Sequence, residues 1–354
     1  MKIVFLVRRF YPDIGGVEKH VYELSKRLLK LGHTVTIITE NTTVSQHVGK
    51  IDEDMKKVLQ RLKIHRILIS SDEHSKKYEI WRWMWMHKDL LTQADIIHAH
   101  DVFFWYLPFR FFYPRRKVFM TFHGYEGYPI TRKAIVVRKI SEVLSRGNIC
   151  IGDFIKKWYG TSPDYVSYGA VESFESRSKP FDLAQGKNHE STKESAVFIG
   201  RLDRQTGIEI YCKAYQLLKK QMPKFELLVV GDGECKINLP KDITYKGFDP
   251  YARKYFENYR YAFVSRYLTI LEAMIAKRLV LAVYDNSIKK DYLTMSPMAA
   301  FMVIAKTPDE IAEAVSYYLD HPENEKDHIE KAYQWAKEQT WEKMVDLYLS
   351  LWKK

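Results

Sequence analysis

The chain has 354 residues, 46% of them hydrophobic and 28% charged, with a formal net charge of +12. That balance excludes a disordered or fibrous chain, and the length allows two domains of ordinary size. The positive excess implies an anionic partner: nucleic acid, acidic lipid or a phosphorylated small molecule.

The run Ile3 to Val7 is short, apolar and β-branched enough for a buried parallel strand. Val17, Val21, Leu24, Leu28 and Leu31 then recur at helical spacing, so a helix starts just after Gly15 and Gly16. Its first N–H groups lack intrahelical partners and favour an anion, which a glycine pair would let approach the backbone. A tight turn using glycine for its conformational freedom is the competing reading. "TVTIIT", "ADIIHAH", "KVFMTF" and "NICIG" continue the strand pattern before residue 155. "AVFIG", "ELLVVG", "ITYKG", "YAFVS", "LVLAV" and "FMVIA" repeat it afterwards. Strands alternating with helical stretches predict an α/β protein with two doubly wound parallel sheets. The expected boundaries are a first domain over 1–171, a polar linker or insertion over 172–195, a second domain over 196–335 and a closing helix over 336–354 that packs back on the first domain.

Two stretches in the first domain interleave aromatic and basic residues: "YEIWRWMWMHKDLL" (78–91) and "VFFWYLPFRFFYPRRKVF" (102–119). Such residues suit an anionic lipid interface, and equally a helix burying its aromatics against a sheet. Nucleic acid is not expected, because no nucleic-acid motif accompanies them. Cys150, Cys212 and Cys235 lie far apart without metal spacing, which predicts a reducing compartment and no metal site. The first apolar run is too short for an export signal, and no stretch is long enough to span a membrane. A cytoplasmic protein is expected, one able to rest peripherally on the inner face of the membrane.

Ligands of open α/β sheets bind beyond the carboxyl ends of the strands. There the sequence carries Gly15 and Gly16, then His98, His100 and Asp101, then His123 and Gly124, then Arg201, and finally Gly231, Asp232 and Gly233. These groups suit an anionic, polyhydroxylated ligand. His98 also reads as a core histidine, and "GDGE" as an ordinary turn.

The ordered motifs "RFYPDIGGVEKHVYELSKRLLKLGHTVTIIT", "DIIHAHD", "TFHG", "YGAVE", "FIGRLDRQTGIEIYCKAY", "LLVVGDGE", "YKGF" and "LEAM" resemble glycosyltransferase family 4, whose members are retaining enzymes of the GT-B fold. The resemblance covers nearly the whole chain. It implies two Rossmann-like domains facing a cleft, the first taking the acceptor and the second most of a sugar nucleotide. It implies that Gly15 and Gly16 lie against the donor diphosphate, that His123 lies near the transferred sugar, that Arg201 binds the diphosphate and that Glu272 takes the ribose hydroxyls. Gly231, Asp232 and Gly233 join this donor-binding set. Two departures stand out. Thr206 occupies the place of the family's second diphosphate cation, a lysine, and Val264 that of the first glutamate of a Glu-x7-Glu pair. An unreplaced cation costs roughly 3 kcal/mol of barrier; Arg204 and Arg266 are candidate substitutes. The expected function is a retaining glycosyltransferase, a hexosyltransferase by class. It moves a sugar from a nucleotide diphosphate sugar to a carbohydrate or lipid-linked acceptor, without cofactor or metal. A non-catalytic sugar-nucleotide-binding homologue, acting as partner subunit or sensor, is the alternative. A nicotinamide dehydrogenase is disfavoured because no G-x-G-x-x-G follows a strand.

Overall fold

The computed structural model describes residues 1–13, 15–41, 53–69, 73–172 and 194–354. Most of the expected linker, 172–195, lies outside the described residues. The chain divides into two compact units, Met1–Ser167 with Trp341–Lys354, and Tyr168–Thr340.

The first unit runs β1 (Lys2–Val7), α1 (Gly16–Lys30), β2 (Thr34–Glu40), α2 (Glu53–Arg61), β3 (Lys63–Ile67), α3 (Glu73–Met86), α4 (Lys88–Thr92), β4 (Ile96–His100), α5 (Phe103–Phe112), β5 (Val118–Phe122), α6 (Arg132–Leu144), β6 (Gly147–Ile151), α7 (Phe154–Tyr159) and β7 (Tyr165–Ser167). Its strands are parallel, in the order β3-β2-β1-β4-β5-β6-β7. β4, β5 and β6 are buried along their whole length, because helices cover both faces, and that is why they read as unbroken apolar runs. The order reverses between β1 and β4. Right-handed crossovers leaving that point in opposite directions put α1 on one face and α5 and α6 on the other.

The second unit runs β8 (Ser195–Ile199), α8 (Ile208–Gln221), β9 (Glu226–Val230), β10 (Thr244–Tyr245), β11 (Tyr261–Phe263), α9 (Tyr267–Ile275), β12 (Leu279–Val283), α10 (Ser287–Thr294), β13 (Val303–Ala305), α11 (Pro308–Asp320) and α12 (Pro322–Ala336). Its parallel sheet has the order β10-β9-β8-β11-β12-β13, reversing between β8 and β11. Tyr211 of α8 stacks on Phe263, with ring centroids 5.0 Å apart, and donates its hydroxyl to the Leu281 carbonyl at 2.8 Å.

The last helix, α13 (Trp341–Trp352), belongs to the first unit and packs on α1. Arg27 of α1 donates to Glu342 at 2.8 Å, pairs with Glu23 on its own helix, and lies 5.9 Å from the centre of the Trp341 ring. On the opposite face α3 packs on α5, and α5 on α6. The aromatic–basic stretches divide there. Phe103, Trp105, Tyr106 and Phe109 are buried in the core, whereas Trp85, Met86, Phe111 and Phe112 are exposed.

α6 is turned inside out. Its inward face carries Arg138 and Ser141, both buried, and its outward face carries Val136, Val137, Ile140 and Val143. Arg138 donates to the Gly124 carbonyl and to Glu126, and thereby braces the loop that follows His123.

Candidate functional site

In the first unit the β1/β4 reversal point is occupied by the start of α1 and the end of β4. Gly15 caps α1 in an extended conformation without a side-chain cap. A Cβ there would fall 2.4 Å from Glu18 Oε2, so the first-turn carboxylate folds over the helix start. A carboxylate is favourable at that end of the helix dipole, and an anionic ligand would have to displace or share it.

Behind the helix start four histidines converge. His20 comes from α1, His98 and His100 from β4, and His123 from just beyond β5. His100 Nδ1 and His123 Nε2 lie 2.8 Å apart, and the His20 and His123 rings meet edge to face at 4.8 Å. The backbone N–H of His123 donates to Asp101 Oδ1 at 3.1 Å. His100 Nε2 is buried without a partner among the described residues. An orphaned lone pair is the milder of the two defects, so we assign the proton of His100 to Nδ1, from which it is donated to His123 Nε2. His123 therefore carries its own proton on Nδ1.

Burial pushes His20, His98 and His100 well below the ordinary histidine range, and the neighbouring imidazoles add to the effect. His123 is pushed down to about 3 by burial, then by His98 and Arg138. The cluster is uncharged at neutral pH, so His123 offers a hydrogen bond and not a positive charge.

In the second unit the β8/β11 reversal point gathers the cations. Arg201, just beyond β8, has a side chain 63% exposed and pairs with Asp203 at 3.1 Å. Arg204 is exposed one turn further on. Arg266, the residue before α9, donates to Gln205 Oε1 at 2.7 Å, which ties the two strand ends together. Thr206 is buried, and its hydroxyl lies 2.7 Å from both the Arg201 and the Asp203 carbonyls. Its side chain braces the turn instead of facing outward. Ser265 donates to the Thr206 carbonyl at 2.7 Å.

Gly231 and Gly233 are required by close packing. A Cβ at Gly231 would fall 1.8 Å from the Gly200 carbonyl oxygen, and one at Gly233 2.4 Å from that of Leu202. Leu202 N–H donates to the Asp232 carbonyl at 2.9 Å. The "GDG" turn thus holds the Arg201 loop by its backbone. Val264 is fully buried, and Glu272 is buried within α9.

The first unit therefore brings Gly15, Gly16 and His123 around one strand-order reversal, and the second brings Arg201, Thr206, Gly231, Asp232, Gly233 and Arg266 around the other. Two residues went unnoticed in the sequence as site residues. His20 follows the helical spacing of Val17 and Leu24, a signal that could have placed it inward. Lys289 of α10 had no such signal. It is buried and donates to the Ser265 carbonyl, beside Arg266. Burial, and secondarily Arg266, holds its pKa well below the ordinary lysine range.

The profile described as Glycosyltransferase Family 4 matches residues 14–161, and the one described as Glycosyl transferases group 1 matches residues 181–335. The phosphatidylinositol N-acetylglucosaminyltransferase GPI3 subunit of Saccharomyces cerevisiae is 26% identical over 248 residues, covering 65% of this chain and 53% of that protein. A human protein, likewise one chain of a phosphatidylinositol N-acetylglucosaminyltransferase, is 23% identical over 241 residues, covering 65% of this chain and 48% of that protein. The chain spans about half the length of these curated relatives. A glycosyltransferase structure from Rickettsia africae superposes with a TM-score of 0.72 at 17% identity, covering 99% of this chain and 97% of that one.

Proposed function

Because the chain belongs to glycosyltransferase family 4, within the glycosyl transferases group 1 enzymes of GT-B fold, we propose that it transfers a sugar, with retention, from a nucleotide diphosphate sugar to a carbohydrate or lipid-linked acceptor. The observation that carries this reading is the gathering of Arg201 and Arg266 at the β8/β11 reversal, where an open sheet binds its ligand. Guanidinium groups suit a diphosphate, since each can form two parallel charged hydrogen bonds. The bond from the sugar's anomeric carbon to the diphosphate oxygen breaks, and the acceptor oxygen bonds to that carbon from the same face. Its proton passes to the departing diphosphate. Uncharged His123 is too weak a base to take that proton and is left to orient the sugar.

The names of the yeast and human relatives make a nucleotide-linked N-acetylglucosamine and phosphatidylinositol the first donor and acceptor to try. A thermal-shift screen of nucleoside diphosphates and their sugar derivatives tests the donor. A ligand at 100 times its dissociation constant adds about 2.7 kcal/mol to stability. If no nucleotide raised the melting temperature, the reading would fail.

The alternative, a sugar-nucleotide-binding partner subunit without turnover, draws on Thr206 and Val264, which supply neither the family's lysine nor its first glutamate. It predicts binding without transfer or donor hydrolysis.

We also propose an anionic lipid surface as a partner. Support comes from the outward valines and isoleucine of α6, in the same helical layer as exposed Trp85, Met86, Phe111 and Phe112. Arg82, Arg132 and Lys133 are exposed on these same elements, Lys88 at the start of α4 and Arg115 in the turn after α5. Apolar protrusions among basic groups complement an anionic bilayer. No described helix is long and apolar enough to cross one.

A further inference from the structure

The histidine cluster is wired to the end of the chain. The Trp352 indole N–H, which can only donate, lies 2.9 Å from His98 Nδ1. His98 Nδ1 therefore accepts, its proton is on Nε2, and that N–H donates to Thr121 Oγ1 at 2.7 Å. Thr121 Oγ1 is 2.8 Å from the Tyr348 hydroxyl, which is 2.9 Å from His20 Nε2. All of these residues are buried. If Tyr348 donated to Thr121, the Thr121 proton would be left without an acceptor among the described residues, an arrangement buried hydroxyls avoid. The satisfied arrangement runs one way: Trp352 to His98, His98 to Thr121, Thr121 to Tyr348, Tyr348 to His20. His20 Nε2 then accepts, and its proton is confined to Nδ1.

We propose that α13 fixes His20 in this tautomer and that His20 Nδ1–H, beside the Nδ1–H of His123, donates a hydrogen bond to a hydroxyl oxygen of the bound sugar. The ligand class rests on the glycosyl-transfer reading above. The tautomer does not. The two rings lie with their centroids 4.8 Å apart, and both donors are neutral: either N–H can donate to a sugar hydroxyl oxygen, and neither brings a phosphate the positive charge that a guanidinium does. Tyr348 and Trp352 act through His20 and His98 and are positioning residues. Their placement makes the last helix part of the site of the first unit.

Long-range proton–nitrogen correlation spectra of the full chain, labelled with 15N-histidine, test the relay without any substrate. The expected patterns are Nε2–H for His98 and Nδ1–H for His20, assigned by single His→Gln variants. In Tyr348→Phe the pattern of His20 should shift toward a mixture of tautomers while that of His98, still held by Trp352, stays put. An Nε2–H pattern for His20, or no response to Tyr348→Phe, would overturn the relay. The donor role is read by comparing each sugar nucleotide that binds with its parent nucleoside diphosphate. His20→Phe should weaken the sugar nucleotide roughly tenfold, the worth of one hydrogen bond, and leave the diphosphate unchanged. His20→Asn, whose amide N–H replaces Nδ1–H, should recover part of the loss. Equal effects on both ligands, or none, would remove His20 from the sugar subsite. If no sugar nucleotide binds even the parent chain, the glycosyl-transfer reading fails and the donor role with it, while the spectra still decide the relay.

Discussion

The guanidinium of Arg138 lies 3.9 Å from the centre of the Tyr159 ring, while Tyr159 donates its hydroxyl to Glu126, the ion-pair partner of Arg138 at 2.9 Å. A buried cation is thus held by a ring, a carboxylate and the Gly124 carbonyl at once. Removing it should leave a cavity and an unbraced loop beside His123. Arg138→Ala is expected to lower stability by about 1–3 kcal/mol, since the Glu126 it leaves behind is half exposed, and Arg138→Lys, which loses the planar fork, by less. Urea midpoints check this, and an unchanged midpoint for Arg138→Ala would show that the stack carries no weight.

The outward stripe of α6 makes the lipid proposal testable without disturbing the core. Replacing Val136, Ile140 and Val143 together by serine should change stability little, because all three are exposed. If they insert into a bilayer, each contributes about 1.5 kcal/mol, so binding to anionic vesicles should fall by about three orders of magnitude. Sedimentation with anionic and neutral vesicles, at low and high salt, measures it. Undiminished binding by the triple variant would clear this face of the role. A changed oligomeric state with unchanged vesicle binding would assign it to a protein contact.

The buried histidines set a pH dependence. His20, His98 and His100 stay neutral when folded because their pKa values lie well below 6.5, whereas in the unfolded chain they titrate normally. Below about pH 6.5 the unfolded state therefore binds more protons, and stability falls as the pH drops toward the folded values. Each histidine contributes a slope of up to about 1.4 kcal/mol per pH unit. Asp101, pushed up to about 6 by burial, takes up its proton first in the folded chain and offsets about one histidine's share, so unfolding free energy measured from pH 8 to 5 should be nearly level above 6.5 and show a net decline below it. His100→Asn should flatten the decline by one proton's worth, and a level profile to pH 5 would contradict the buried, neutral cluster.

In the second unit the two cation positions should behave differently. Arg201→Ala removes an exposed guanidinium and should weaken nucleoside diphosphate binding with little loss of stability. Thr206→Lys removes a buried hydroxyl bonded to two carbonyls and should cost about 1–3 kcal/mol. Calorimetric titration with nucleoside diphosphates separates the cases. Tighter binding by Thr206→Lys at unchanged stability would mean that position 206 opens to the ligand after all.

Local pattern determined a good deal of this protein. β-branched runs such as "LVLAV" and "VFMTF" announce strands covered on both faces, and their alternation with helical spacing announces parallel sheets. The residues following those runs, Arg201 and His123 among them, were legible as site candidates for the same reason. Strands without the apolar run escaped: β3 is "KIHRI" and β7 only "YVS", and both lie at sheet edges, where one side needs no cover. Tertiary structure alone decided the strand order, and with it the two reversal points where the candidate residues meet. It also decided that Thr206 turns inward, that α6 shows its valines to the outside, and that Tyr348 reaches a histidine 328 residues earlier in the chain. Periodicity records only how much of each segment is buried. Which segment does the burying is settled by packing and hydrogen-bond satisfaction between parts of the chain that no local spacing connects.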